Sequence, residues 1–456
     1  MILRKLFLPL SAVALLAGCS ASSGSSPAAA KPADHAAARG TSPMDRIAES
    51  YVKLVLAVGQ YDPDYVDAYY GPPEWKAEAE AQKRPLADLQ QEARSLIDEL
   101  DALPAAPAKS SKPAKDAELT MLRQHYLKHQ LLSMVVRIDL LQGKKLAFDQ
   151  ESQGLYDAVA PVFPPEHFQK MLDRLGRLLP GEGPIGPRYE KWRQSFVIPR
   201  DKLDSVFQAA IGECRKRTLA HVQLPPGESF TVEYVNDKPW SAYNWYKGGY
   251  HSVIQVNTDL PIFMDRAIDL ACHEGYPGHH VYNALLEKNL VRDRGWPEYS
   301  VYALFSPQSL IAEGSANFGI EVAFPGEERM HFERDVLYPL AGLDPARAEE
   351  YARIQGLVQQ LTYAGNEAAR GYLNGEMTRE QAAEYIQRYA LYEPERALQR
   401  TRFIDKYRSY VINYNLGQDL IRQYVERQGG TADRPDQRWL VFQRILSSPR
   451  LPSDLQ

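Results

Sequence analysis

From Met44 onward the apolar positions of the chain follow the period of a helix face. Ile47, Tyr51, Leu54, Val55 and Val58 fall on one side of a 3.6-residue repeat. The same period predicts helices over about 86–102 and about 115–142, the second carrying Leu122, Tyr126, His129, Leu132, Val136 and Leu140. The Pro-, Ala-, Ser- and Lys-rich stretch 104–113 reads as the loop between them. Further helices are expected at about 165–179, 186–195 and 200–220. Only 230–235 and 252–257 alternate β-branched and polar residues as strands do, and the aromatic-rich run 240–249 lies between them. No internal repeat or sharp boundary interrupts 44–456, so the pattern predicts one mainly α-helical domain, its N-terminal half helical to about residue 195. It also predicts a small antiparallel β element, with 252–257 either an edge strand or part of a core hairpin.

Composition narrows the class. The chain has 456 residues, 44% hydrophobic and 24% charged, as an ordinary globular protein has. A formal net charge of -5 leaves no basic footprint for nucleic acid. Tyrosines number 27 against 14 phenylalanines, which suits a polar cleft and equally suits tyrosines packed between helices.

The N-terminus carries an address. Arg4 and Lys5 precede an apolar run, 6–17, that is too short to span a bilayer. It ends in Leu16-Ala17-Gly18-Cys19, which resembles the lipobox of bacterial lipoproteins. That resemblance implies a signal peptide over 1–18, a lipid on Cys19, and, with Ser20 next, an outer-membrane protein facing the periplasm. The lipid is then the sole membrane attachment. Residues 19–43 read as a flexible tether in which His35 is incidental. Of the remaining cysteines, Cys214 and Cys272, an oxidising compartment permits a bridge. Cys272 reads instead as a small core residue beside the chemistry described next.

That chemistry is concentrated in Ala271-Cys272-His273-Glu274-Gly275-Tyr276-Pro277-Gly278-His279-His280. Imidazoles hold a zinc ion and an adjacent carboxylate takes a proton in zinc hydrolases. Their usual histidines stand four residues apart on one helix, but here Pro277 occupies that place. On an ideal helix His279 would lie ~9 Å along the axis from His273 and on the far side. Pro277 and Gly278 are the residues that break a helix, so the two can meet only across a distortion. Thr258 or Asp259 is the expected cap of this helix, with Pro261 in its first turn.

HEGYPGHH resembles the HExxPGHH signature of the bacterial "domain of unknown function 885" family, regarded as metallopeptidase-like. Its end, Gly278-His279-His280-Val281-Tyr282, also resembles the HExGHALY motif of the carboxypeptidase Taq family with two residues inserted, which favours His279 over His280 as ligand. The likeness extends over roughly 45–425. It implies a multi-helix zincin-like metallopeptidase fold with one zinc per chain, bound by His273, His279 and Glu313, and with Glu274 as general base. Glu313 lies in Ile311-Ala312-Glu313-Gly314-Ser315-Ala316-Asn317, which resembles the family's EGWA block with Ser315 in place of Trp. Glu321, two turns on, is the competing carboxylate.

Other roles are expected from position. Asn317 and Asp269 each lie one turn from a ligand and suit hydrogen bonding to a ligating imidazole. His280 and Tyr410, with Tyr414, are candidates for stabilising an oxyanion; the tyrosines lie in a run loosely resembling the family's RY…PGQ block. Arg402 or Arg408 would hold a substrate carboxylate, favouring carboxypeptidase or dipeptidase action on short peptides. His125 and His129, at i and i+4, have no carboxylate beside them in sequence and read as helix-surface residues. Thr378 to Gln381 is a capping box. Two rival functions share these residues: a metal-dependent amidohydrolase acting on a cell-wall or other non-peptide amide, and a non-catalytic envelope lipoprotein of the same fold.

Overall fold

The computed structural model describes residues 42–104, 114–238, 240–259 and 261–456. The signal peptide, Cys19 and the tether up to Thr41 lie outside the described residues, as does 105–113 of the predicted loop. The first predicted face forms helix Pro43–Val58, whose entry Ser42 and Asp45 close as a reciprocal capping box. Its five apolar positions are all buried, against helix Leu86–Ala102 and the long helix Ala114–Leu141. Helices Pro165–Leu178, Ile185–Arg193 and Leu203–Leu219 follow where the period predicts them.

Five short strands interrupt the helices. They are β1 (Val66–Tyr69), β2 (Ser229–Val235), β3 (Ala242–Gly248), β4 (His251–Asn257) and β5 (Val301–Ala303). β1 pairs antiparallel with β5, with a register shift between Val66 and Ala68. The other three form a mixed sheet in the order β2-β4-β3. β2 runs parallel to β4 and β3 antiparallel to it, so the expected antiparallel element is corrected to a mixed one. The aromatic run supplies β3, and β4 is the central strand rather than an edge. Ser252, Ile254 and Val256 on one face of β4 are buried while their neighbours are half-exposed.

Two hydrophobic clusters make the core. One gathers the N-terminal helices with Val301, Phe305 and Tyr410. The other gathers helices from Phe168 to Leu361, the sheet, and the C-terminal Trp439 and Phe442, while Ala368, Ile386 and Ile404 join the first. Helix Pro307–Ala323 contributes Leu310 to the first cluster and Ile311, Ala312 and Phe318 to the second. It is buried on nearly every side, as an apolar helix without a polar face must be. Gly314 in it meets Gly417 of helix Ile412–Arg427; a Cβ on Gly314 would lie 2.3 Å from the Gly417 carbonyl carbon. The small residues of this block therefore serve an approach to helix Ile412–Arg427, while Gly319 is the one that packs on Pro277.

Cys214 and Cys272 are joined in a disulfide, which corrects the reading of Cys272 as a free core thiol. The bridge ties helix Leu203–Leu219 to the turn that carries His273. The predicted cap is also corrected: helix Met264–Leu270 starts after Phe263, while Asp259 accepts hydrogen bonds from Asn236 and from the backbone of Asp237.

Candidate metal centre

The His-Glu segment is two helical pieces with a break between them. After Met264–Leu270 the chain widens into a π-turn over Ala271–Gly275. It then breaks over 276–278 and restarts as helix His279–Leu286. The amide of Gly278 donates back to the Cys272 carbonyl at 2.9 Å. A Cβ on Gly278 would stand 1.8 Å from the His273 carbonyl oxygen, so only glycine permits this return. The return brings the two histidines together, their rings perpendicular with centroids 4.6 Å apart.

His273 Nε2 and His279 Nε2 are 3.1 Å apart. Glu313 Oε2, arriving from helix Pro307–Ala323, is 3.3 Å from the first and 3.7 Å from the second. Two imidazoles and a carboxylate thus converge as one cluster. Ligand atoms bound at ~2.0–2.1 Å to a tetrahedral zinc lie about 3.3 Å from one another, and all three separations are close to that edge. Glu313 Oε2 is fully buried and accepts no hydrogen bond, although it faces both imidazoles. A buried carboxylate oxygen in that state is costly unless a cation meets it. The residues present therefore fit a divalent ion.

Their orientation is fixed from behind. Asn317 Nδ2 donates to the Tyr414 carbonyl at 2.9 Å, which leaves its Oδ1 to accept from His273 Nδ1 at 2.9 Å. His273 consequently presents the lone pair of Nε2 to the cluster. Tyr410 donates its hydroxyl to Glu313 Oε1 at 2.9 Å, so this tyrosine holds the carboxylate. Burial opposes charge on Glu313, yet His273 and His279 hold its carboxyl well below the usual range. Burial likewise opposes protonation of His279, but Glu313, Glu274 and Asp67 outweigh it and raise its pKa to about 9. The field that draws a proton to His279 also draws a metal ion.

Glu274 is buried beside the cluster, and Asn244 of β3 anchors its carbonyl through Nδ2 at 2.7 Å. Its carboxylate makes no hydrogen bond to a described residue. Tyr414, half-buried, has a free hydroxyl among the described residues, and burial with the nearby charge of Glu313 pushes its pKa well up.

Four expected residues are elsewhere. His280 is fully buried on the far side, between Ser252 at 2.9 Å and Glu228 at 3.0 Å. It is a tie between sheet and helix, because its helical step from His279 turns it away. Asp269 accepts from Arg329 at 2.8 Å and faces Arg266, and Asn317 takes the part expected of it. Arg408 is committed to Glu151 at 2.5 Å, and Arg402 is exposed. Glu321, the competing carboxylate, is paired with Arg422 and bonded by Gln418 at 2.7 Å. His125 and His129 each meet an acid from a distant segment, Asp454 at 3.3 Å and Asp157 at 3.6 Å, which the sequence order hides. A surface cavity of about 640 Å³ lined by Leu285, Lys288, Leu440 and Arg444 borders none of the centre's residues.

Sequence reasoning missed Asp67. It comes from β1, in the half of the chain read as helical, and takes a hydrogen bond from the Tyr243 hydroxyl. Its carboxyl feels the charges of His279, Glu313 and Glu274. The one available signal was the short apolar and aromatic run from Tyr65 to Tyr69, broken only by Asp67 and shorter than a strand is usually recognised by.

No family model matches the chain, and no curated protein matches it. Its fold is similar to a solved structure described as the "putative lipoprotein from Colwellia psychrerythraea". The TM-score is 0.50 at 16% identity, over 91% of this chain and 74% of that one. A second, described as a "putative lipoprotein of unknown function from Shewanella oneidensis", has a TM-score of 0.41 at 14% identity, over 82% and 75% of the two chains. At these identities the likeness to the Colwellia structure is one of fold.

Proposed function

We propose that this chain is a zinc-dependent peptidase of the cell envelope that hydrolyses peptide bonds in short peptides. One observation carries the reading. His273 Nε2, His279 Nε2 and the unbonded Glu313 Oε2 converge at 3.1–3.7 Å, each aimed by a hydrogen bond or a required backbone turn. The resemblance of HEGYPGHH to the "domain of unknown function 885" signature supports it, and with it a zincin-like fold built on the sheet and the two ligand-bearing segments.

A zinc ion held by these three residues supplies a Lewis acid that acidifies water and polarises the scissile carbonyl. Glu274, beside the ligands with its carboxylate unbonded, takes the proton of the attacking water and returns it to the leaving amine. Tyr410, whose hydroxyl is engaged by Glu313, keeps that carboxylate turned to the two imidazoles. Of the three candidates for the developing oxyanion, Tyr414, with its free hydroxyl, takes the part rather than Tyr410 or His280.

The lipobox at Cys19, the disulfide between Cys214 and Cys272, and the lipoprotein description of the Colwellia structure together support an envelope lipoprotein. No helix among the described residues is long and apolar enough to cross a membrane. From the lipobox and Ser20 we assign attachment through the Cys19 lipid, at the outer membrane facing the periplasm. The test is a panel of di- and tripeptides with zinc-loaded protein and its Glu274→Gln variant. The reading expects cleavage by the former and none by the latter at equal metal content. No cleavage by either, or equal cleavage by both, would contradict it.

A further inference from the structure

Three acids stand within six residues around β1: Asp62, Asp64 and Asp67. Asp62 receives two bonds from Arg137, at 3.0 and 2.5 Å. Asp64 is paired with Lys406 at 2.9 Å. Asp67 makes no ion pair with a described residue, the charge of His279 reaching it only at a distance. The Tyr243 hydroxyl donates to its Oδ1, and no described residue donates to its Oδ2.

The position of this carboxylate is built. The β1–β5 register shifts between Val66 and Ala68, which makes Asp67 the irregular residue of the ladder. Such a bulge re-aims a side chain out of the strand's alternation and is common beside active sites. Here the carboxyl lies within electrostatic reach of the metal centre and of neighbouring tyrosines, acting on His279, Glu313, Tyr302 and Tyr407. Tyr243 is itself on β3, next to Asn244, which holds the Glu274 carbonyl. The same strand therefore sets the distance between Asp67 and the proposed base.

Charge completes the argument. In the peptidase reading, a divalent ion is balanced by Glu313 and Glu274. Asp67 then adds a negative charge that the chain leaves unneutralised, in a site where burial pushes its carboxyl up to about 6. A group that supplies a cation and a hydrogen-bond donor to Oδ2 relieves both deficits. We infer that Asp67 anchors the free α-ammonium of the substrate, so that the enzyme reads an unblocked N-terminus, as a dipeptidase or aminopeptidase of short peptides does. The inference rests on the peptidase reading and replaces its carboxylate-first version, since Arg402 and Arg408 are not at the centre.

The experiment compares kcat/KM for a dipeptide with a free N-terminus, its N-acetylated form, and an N-acetylated form bearing a lysine side chain. Zinc-loaded wild type and Asp67→Asn are both used, with metal content and circular dichroism recorded. Asn keeps the shape and the acceptor for Tyr243 while removing the charge. The expected result is a preference of at least about 10-fold for the unblocked dipeptide, which shrinks toward unity in Asp67→Asn through a rise in KM. Calorimetry of the same peptides on Glu274→Gln protein reads binding without turnover and should show the same preference. Equal use of unblocked and acetylated peptides by wild type overturns the inference and leaves the peptidase reading standing. So does a preference that survives in Asp67→Asn, or one restored by the lysine side chain. Failure to cleave any peptide removes both.

Discussion

Asn317 Oδ1 accepts from His273 Nδ1 at 2.9 Å while the same amide's Nδ2 is bound to the Tyr414 carbonyl. The amide cannot flip without losing one of these bonds, so the imidazole is locked with Nε2 toward Glu313. Partners of this kind typically change metal affinity ~10–100-fold. Asn317→Ala should therefore weaken zinc binding by about that factor in a chelator competition, with little change in secondary structure. An unchanged affinity would mean that His273 is oriented by packing alone.

The contact between Gly314 and Gly417 brings helix Pro307–Ala323 against helix Ile412–Arg427, and with it Glu313 to Tyr410. A Cβ at 314 would lie 2.3 Å from backbone, which no side-chain adjustment relieves. Gly314→Ala should cost at least about 2–3 kcal/mol by urea denaturation, at the upper end of overpacking effects. Gly186→Ala, where a Cβ meets nothing within 4 Å, is the control and should be near neutral.

Much of this was legible in the chain, for identifiable reasons. Helices whose apolar faces pack on one partner keep a 3.6-residue signal, as at Ile47, Tyr51 and Val58. His273, Glu274 and His279 stand in a short, unusual pattern, and Glu313 was named through the resemblance of its own block to the EGWA motif. The pairing of β2 with β4 was hidden, because an intervening strand joins the sheet on the other side of β4. Alternation reports which face is buried and says nothing about neighbours. His280 and Asp269 were misassigned for a related reason: nearness in sequence does not say which side of a broken helix a side chain leaves from. Asp67 lies more than two hundred residues from the ligands, and only the folded chain brings it there.

Asp67 also makes a prediction about stability against pH. Burial pushes its carboxyl from 3.8 up to about 6, against the Tyr243 bond and the charge of His279. The fold therefore binds this proton more tightly than the unfolded chain does. Its contribution is full below the unfolded pKa of 3.8 and is lost as pH rises through about 6. With chelator present, Asp67→Asn should gain stability relative to wild type between pH 4 and 6, by up to about 2 kcal/mol, and gain no more above pH 7. A constant difference across that range in urea titrations would mean the carboxyl is not perturbed in the fold.

The central claim is that His273, His279 and Glu313 hold a metal ion, and the direct measurement is metal content by mass spectrometry. Protein starting near Pro43 would be compared with its His273→Ala, His279→Ala, Glu313→Ala and His280→Ala variants. The account predicts about one zinc per folded chain, lost in the first three variants and kept in His280→Ala. Absence of zinc in wild type even after zinc is added, or its loss from His280→Ala and retention in His279→Ala, would contradict it.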